Sequence, residues 1–136
     1  MDSREDDLIR VLTLNLNHRT RPKPVPSALL DAIRANEPDV MIFTEYVEPV
    51  DSSYLWDDLK SSGFPGIAVS ESNNYRPGRW HNQILIASRH SIERAITPLG
   101  GPDDMSRTNT LFVHTFGLQI AGLRVPAYTN SQDWYA

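Results

Sequence analysis

The sequence predicts an α/β protein built on a mixed β-sheet with two helices on one face. Two observations carry this expectation. Ile9 to Leu16 and Asp39 to Glu45 are short runs apolar on both strand faces, and one helix-length segment separates them. From Gly66 onward the pattern changes to short strands without intervening helices. Strand, helix and strand joined by short connections form a βαβ unit, so the first two strands should run parallel.

Each element has its own signal. In Ile9 to Leu16, the residues Leu12, Leu14 and Leu16 share one face, and Ile9, Val11, Thr13 and Asn15 share the other. Apolarity on both sides predicts a strand covered on both sides. His18 to Pro26 is basic and proline-rich, which forbids helix and central strand. Pro26 suits the first turn of a helix in which Ala28, Leu29, Ala32 and Ile33 recur at helical spacing through about Asn36. Glu37-Pro38 ends it, because a residue before proline avoids the α region. Asp51 is a candidate N-cap for a second helix through Ser62, with Leu55, Trp56 and Leu59 as its apolar stripe and Gly63 as its stop.

Further along, Gly66 to Ser70 reads as a strand, Glu71 to His81 as a polar loop and Gln83 to Ser88 as a buried strand. His90 to Pro98 is expected beside Gln83 to Ser88. Asn109 to Thr115 and Leu118 to Val125 form a hairpin turning at Phe116-Gly117. Two helices can cover one face of such a sheet, and the remaining sequence offers no clear layer for the other. Two small sheets packed on each other within the chain are the alternative.

Composition narrows the function classes. The 136 residues allow at most one domain, preceded by a polar tail over residues 1–8. A net charge of −4 argues against a protein that coats nucleic acid, yet a local basic cleft is compatible with it. Without cysteine there is no disulfide, thiolate nucleophile or cysteine-ligated zinc. The amino terminus has no secretory pattern and no segment is long enough to span a bilayer, so a cytoplasmic protein is expected.

Three residues point toward phosphoryl chemistry. Asn15 and Glu45 each close an apolar strand, and ligands of open α/β sheets bind outside the carboxyl ends of strands. Magnesium takes hard oxygen ligands, typically one or two carboxylates with waters and substrate phosphate, which suits Glu45. Arg124, near the end of the last strand, could clamp a phosphate. Each has a plainer reading as a turn-forming Asn, a solvated Glu and a strand-end Arg. The four histidines (His18, His81, His90 and His114) show no metal-ligand spacing and read as surface or strand-end residues. The loop Tyr75-Arg76-Pro77-Gly78-Arg79-Trp80 mixes aromatic and cationic side chains, as nucleic-acid or lipid-headgroup surfaces do and as ordinary solvated loops also do.

Four segments resemble motifs of the endonuclease/exonuclease/phosphatase family. They are Leu14-Asn15-Leu16-Asn17, Glu37-Pro38-Asp39-Val40-Met41-Ile42-Phe43-Thr44-Glu45, His81 to Arg89, and Gly122-Leu123-Arg124-Val125-Pro126. The resemblance runs from about Ile9 to Pro126 and implies half of a four-layer α/β/β/α sandwich. It implies that residues 9–136 are the N-terminal portion of that domain, with the C-terminal half absent. It further implies Glu45 and Asn15 as ligands of Mg2+ or Mn2+, and Asn15 with Arg124 as the catalytic contribution to phosphoester hydrolysis. Arg124 stands where family members often carry Tyr or His. The family's Gly-Asp-x-Asn motif and terminal Asp-His pair do not occur in this sequence. The chain alone is therefore expected to be inactive. The implied partner is a phosphate-ester substrate, nucleic acid among the candidate classes. The alternative function is a non-catalytic binding module that holds a partner through the His18 to Lys23 loop or the Tyr75 to Trp80 loop, one version being a homo-oligomer that buries an exposed sheet face; a flavodoxin-like βα protein would need a helix after each strand, which the region after Gly66 does not offer.

Overall fold

The computed structural model describes residues 8–16, 27–47, 54–71, 83–95 and 109–125. In chain order the elements are β1 (Val11–Asn15), α1 (Ser27–Asn36), β2 (Val40–Tyr46), α2 (Tyr54–Ser61), β3 (Gly66–Val69), β4 (Gln83–Ser88), β5 (Glu93–Arg94), β6 (Thr110–Thr115) and β7 (Leu118–Leu123). They form two sheets, one ordered β1-β2-β4-β3 and the other β5-β6-β7. In the first, β1 and β2 are parallel while β4 is antiparallel to both β2 and β3, giving the mixed α/β sheet expected.

Side-chain alternation gives each sheet face its own core. Met41, Phe43, Leu85 and Ala87 point toward the helices and pack with Ile33, Leu55, Leu59 and Phe64. Val40, Ile84 and Ile86 point the other way and pack with Leu111 and Val113 of β6. The first sheet is thus covered by α1 and α2 on one face and, over β2 and β4, by the second sheet on the other. This corrects the expectation that the chain offers no layer for that face: the β6–β7 hairpin supplies it. The described residues make three layers, helices, sheet and sheet. Glu93, His114, Gln119, Ala121 and Leu123 are exposed on the outer face of the second sheet.

Three further expectations change. The second sheet is one strand narrower than the first and sits over β2 and β4. It leaves the same-side face of β1 uncovered among the described residues, so Val11, Thr13 and Asn15 are exposed and β1 is buried on its leucine face alone. The α1 stripe is Leu29, Leu30 and Ile33, with Ala28 and Ala32 exposed, because the larger side chains fill the space above Met41 and Leu12. The segment after His90 does not lie beside β4. It forms β5, which pairs with β6 in the second sheet.

The α2 terminus ends as the sequence indicates. Gly63 has φ +96°, Phe64 N–H donates to the Leu59 carbonyl at 2.9 Å, and Gly63 N–H donates to that of Lys60 at 3.2 Å. This is the paired-bond helix stop that requires a left-handed residue. The β6–β7 turn at Phe116-Gly117 has positive φ at both central residues, as the type I′ two-residue hairpin loop demands. Pro26 and Asp51, the expected start signals of the helices, lie outside the described residues.

Candidate active site

The site is assembled at one end of the sandwich, where β1 and β2 finish, β6 begins and β7 finishes. Asn15 is the last residue of β1 and is paired with Thr44, so it stands one position from Glu45 on the adjacent strand. The amide N–H of Leu16 continues this ladder to the Thr44 carbonyl at 2.9 Å.

Glu45 owes its direction to a β-bulge. Phe43 pairs with Leu85 and Tyr46 with Gln83, so β2 spends three steps where β4 spends two. Strict alternation from Met41 and Phe43 would send Glu45 into the helix-side core and Tyr46 away from it. The extra residue reverses that parity. Tyr46 is fully buried on the helix side, where its hydroxyl accepts from Trp56 Nε1 at 3.0 Å. Glu45 turns toward the second sheet with φ +55°, in the left-handed region that a long side chain rarely adopts. Bulges commonly re-aim a side chain beside an active site.

Arg124 meets it from the opposite sheet. Along β7, Ile120 and Gly122 face inward, and continuation of that parity turns Arg124 inward as well. Its Nη2 lies 3.5 Å from Glu45 Oε1, with side-chain exposures of 20% and 19%. Asn109, just before β6 and 5% exposed, fixes the guanidinium. Its Oδ1 accepts from Arg124 Nη1 at 3.2 Å, and its carbonyl accepts from the Arg124 backbone N–H at 2.9 Å. The sequence reading did not single out Asn109. Its available signal is an amide at the inward parity of Leu111 and Val113, leading an otherwise apolar strand.

The structure therefore brings Glu45 and Arg124 into direct contact and places Asn15 on the neighbouring strand end. Among the described residues no group of three His, Asp or Glu side chains could hold a metal ion. Two oxygen-bearing side chains, the Glu45 carboxylate and the Asn15 amide, occupy adjacent ends of parallel strands. That donor set fits part of a magnesium or manganese shell, the remainder of which water and phosphate ordinarily supply. His90 and His114 lie at the opposite end of the sandwich, exposed, with His90 stacked on Phe116 at 4.0 Å. His18, His81 and the Tyr75 to Trp80 loop lie outside the described residues. A cleft of about 550 Å³ beside β3, lined by Trp56, Val69, Ser70, Gln83 and Arg94, is separate from the Glu45–Arg124 pair.

The described residues form an α/β sandwich in which a strand-end carboxylate and a strand-end amide stand beside an inward-facing arginine. Among solved structures the chain is similar to an AP endonuclease from Archaeoglobus fulgidus, with TM-score 0.64, 20% identity, and coverage of 88% of this chain and 42% of that one. It is also similar to a 3′ phosphatase from Neisseria bound to a product DNA hairpin, with TM-score 0.57, 17% identity, and coverage of 84% and 40%. A third is an endonuclease/exonuclease/phosphatase from Beutenbergia cavernae, with TM-score 0.52, 22% identity, and coverage of 83% and 36%. The chain thus has the fold of the endonuclease/exonuclease/phosphatase proteins over a part of that domain, and spans about two fifths of the length of the first two. No protein-family model matches the sequence, and no curated protein does. No helix among the described residues is long and apolar enough to cross a membrane.

Proposed function

We propose that this chain is the N-terminal portion of a divalent-metal-dependent phosphoesterase that acts on nucleic acid. Glu45 and Asn15 hold Mg2+ or Mn2+, and Arg124 contacts the substrate phosphate. The observation that carries the reading is the bulge at Glu45. The backbone accepts a left-handed glutamate, a conformation costing on the order of 1–2 kcal/mol, to turn a carboxylate toward Arg124 and away from the core. Strain of this kind gathers at functional sites.

A metal held there would polarise a phosphoryl oxygen and offset the charge that develops on it. The chain's own residues do the positioning. Arg124 presents a planar fork matched to two phosphate oxygens, and Asn15 orients an oxygen without adding charge. The similarity to an AP endonuclease and to a 3′ phosphatase bound to a product DNA hairpin favours nucleic acid over other phosphate esters. Among the described residues the two histidines lie at the opposite end of the sandwich from Glu45, so the isolated polypeptide should be inactive and the second half of the domain should supply the group that activates water. The test is a magnesium-dependent cleavage assay on DNA carrying an abasic site or a 3′-phosphate. The chain alone and a polypeptide extended by a second half are compared, each with and without Glu45→Ala. Activity confined to the extended form and lost in the variant is expected. Robust cleavage by the isolated chain, unchanged by Glu45→Ala, refutes both the site and the division of labour.

A second reading rests on exposed apolar side chains. Val11 is 51% exposed on β1 and Leu123 58% exposed on the outer face of β7. A non-catalytic module would use these surfaces to hold a partner or a second copy. Sedimentation of the isolated chain decides it, since a monomer at all accessible concentrations removes the homo-oligomer.

A further inference from the structure

Glu45 faces two cations of different kinds. One is present in the fold: the Arg124 guanidinium, 3.5 Å from Glu45 Oε1. The other is the divalent ion that the proposed function assigns to the same carboxylate. Both side chains are largely shielded from solvent, where water screens charge poorly and a guanidinium and a metal ion repel strongly at such range. Arg124 is not an idle surface group that could drift away without consequence. Asn109 holds its Nη1 at 3.2 Å and its backbone N–H at 2.9 Å.

We propose that Arg124 competes with the divalent metal for Glu45, so that metal and phosphate bind this site with positive coupling. Phosphate accepts the two-pronged hydrogen bonding of the guanidinium and draws it off Glu45. The carboxylate is then left to the metal. By linkage the metal strengthens phosphate binding by the same factor. Asn109 is the positioning residue: anchored on β6, it keeps Arg124 within reach of both the carboxylate and the incoming phosphate. In the absence of phosphate the ion pair keeps the carboxylate neutralised and metal affinity low.

The inference rests on the reading of Glu45 as a metal ligand, and the experiment separates the two. Binding of Mn2+ to the full chain is followed by electron paramagnetic resonance of the free ion, for wild type, Arg124→Met, Arg124→Gln and Glu45→Gln. Thermal melts check that each variant folds. Each is titrated with and without dimethyl phosphate, a monoanion that itself holds manganese weakly. Without the phosphodiester, both neutral Arg124 variants should bind Mn2+ roughly tenfold more tightly than wild type, within the usual span of coupling factors. Dimethyl phosphate should raise the wild-type affinity and raise that of the variants less, and Glu45→Gln should bind no Mn2+. If a neutral variant does not fold, Arg124→Lys serves. It keeps a charge, loses the fork to Asn109, and should bind Mn2+ more tightly than wild type by a smaller factor. Arg124 variants that bind Mn2+ no better than wild type overturn the competition and leave the metal site standing. Absence of Mn2+ binding in wild type and in all the Arg124 variants overturns both.

Discussion

The guanidinium of Arg124 stands 3.5 Å from the carboxylate of Glu45 and ties the end of β7 to the end of β2 across the gap between the sheets. The partners come from different sheets, so the pair clamps the sandwich at its open end. Both are shielded enough that removing one leaves the other's charge poorly solvated. Arg124→Met should cost about 1–2 kcal/mol, below the usual loss for a fully buried pair because each side chain keeps some exposure. Urea denaturation measures it. A midpoint equal to wild type would mean that the pair contributes specificity and no stability.

Backbone strain at Glu45 gives a second prediction. Its φ of +55° suits Asn, which tolerates the left-handed region, and does not suit Gln. Glu45→Asn and Glu45→Gln both remove the carboxylate and its attraction to Arg124. They differ chiefly in backbone preference. The Asn variant should be the more stable by about 1 kcal/mol. Equal unfolding free energies would show that the bulge relaxes without cost and that no strain is stored there.

The approach of the two sheets gives a third. A Cβ placed on Gly122 would lie 2.8 Å from Ile84 Cγ2 and 3.2 Å from Ile42 Cγ2. Ile84 is fully buried and Ile42 partly buried against the same core, so the nearer neighbour has no solvent to swing into. Gly122→Ala should destabilise by about 1–3 kcal/mol through overpacking. Adding Ile84→Leu removes the branch methyl that the new Cβ meets and should recover part of the loss. A double variant no better than the sum of its singles would move the strain elsewhere.

Much of this architecture is legible in the residues. The parallel β1–β2 pair, the α2 stripe of Leu55, Trp56 and Leu59, the Gly63 stop and the Phe116-Gly117 hairpin follow from local pattern alone. What escaped depends on tertiary placement. Apolarity on both faces of β1 marks a strand that wants cover without saying what supplies it, and Val11 and Thr13 remain exposed among the described residues. The β6–β7 hairpin announced its strands, but not that they would leave the first sheet and close over it. At the site, Asn15, Glu45 and Arg124 were visible as strand-end polar residues in familiar motifs. The direction of Glu45 was not, because one inserted residue inverts the alternation on which any face assignment depends. Asn109 was missed for a related reason: its importance lies in a contact with Arg124 that only sheet register creates.

At the end of the sandwich opposite the site, the two sheets are joined by hydroxyls. Ser88 Oγ and Thr115 Oγ1 are 2.7 Å apart, with Ser88 fully buried on β4 and Thr115 buried on β6. Thr115 Oγ1 also reaches the Ser91 carbonyl at 3.1 Å, and the His90 backbone N–H donates to Ser88 Oγ at 3.1 Å. A hydroxyl has one hydrogen. Thr115 must spend its own on the Ser91 carbonyl, so Ser88 donates to Thr115 and accepts from His90. This directed chain makes the two residues interdependent. Thr115→Val keeps the shape and strands the Ser88 hydrogen and the Ser91 carbonyl together, at a cost of about 1–3 kcal/mol. Ser88→Ala leaves the Thr115 bond to Ser91 intact and should cost about 1 kcal/mol. In the double variant the stranded Ser88 hydroxyl is gone, so the combined loss should fall short of the sum by at least about 0.5 kcal/mol. A double-mutant cycle by chemical denaturation measures that coupling, and strict additivity would mean that the chain of donors is broken by water or by an alternative rotamer.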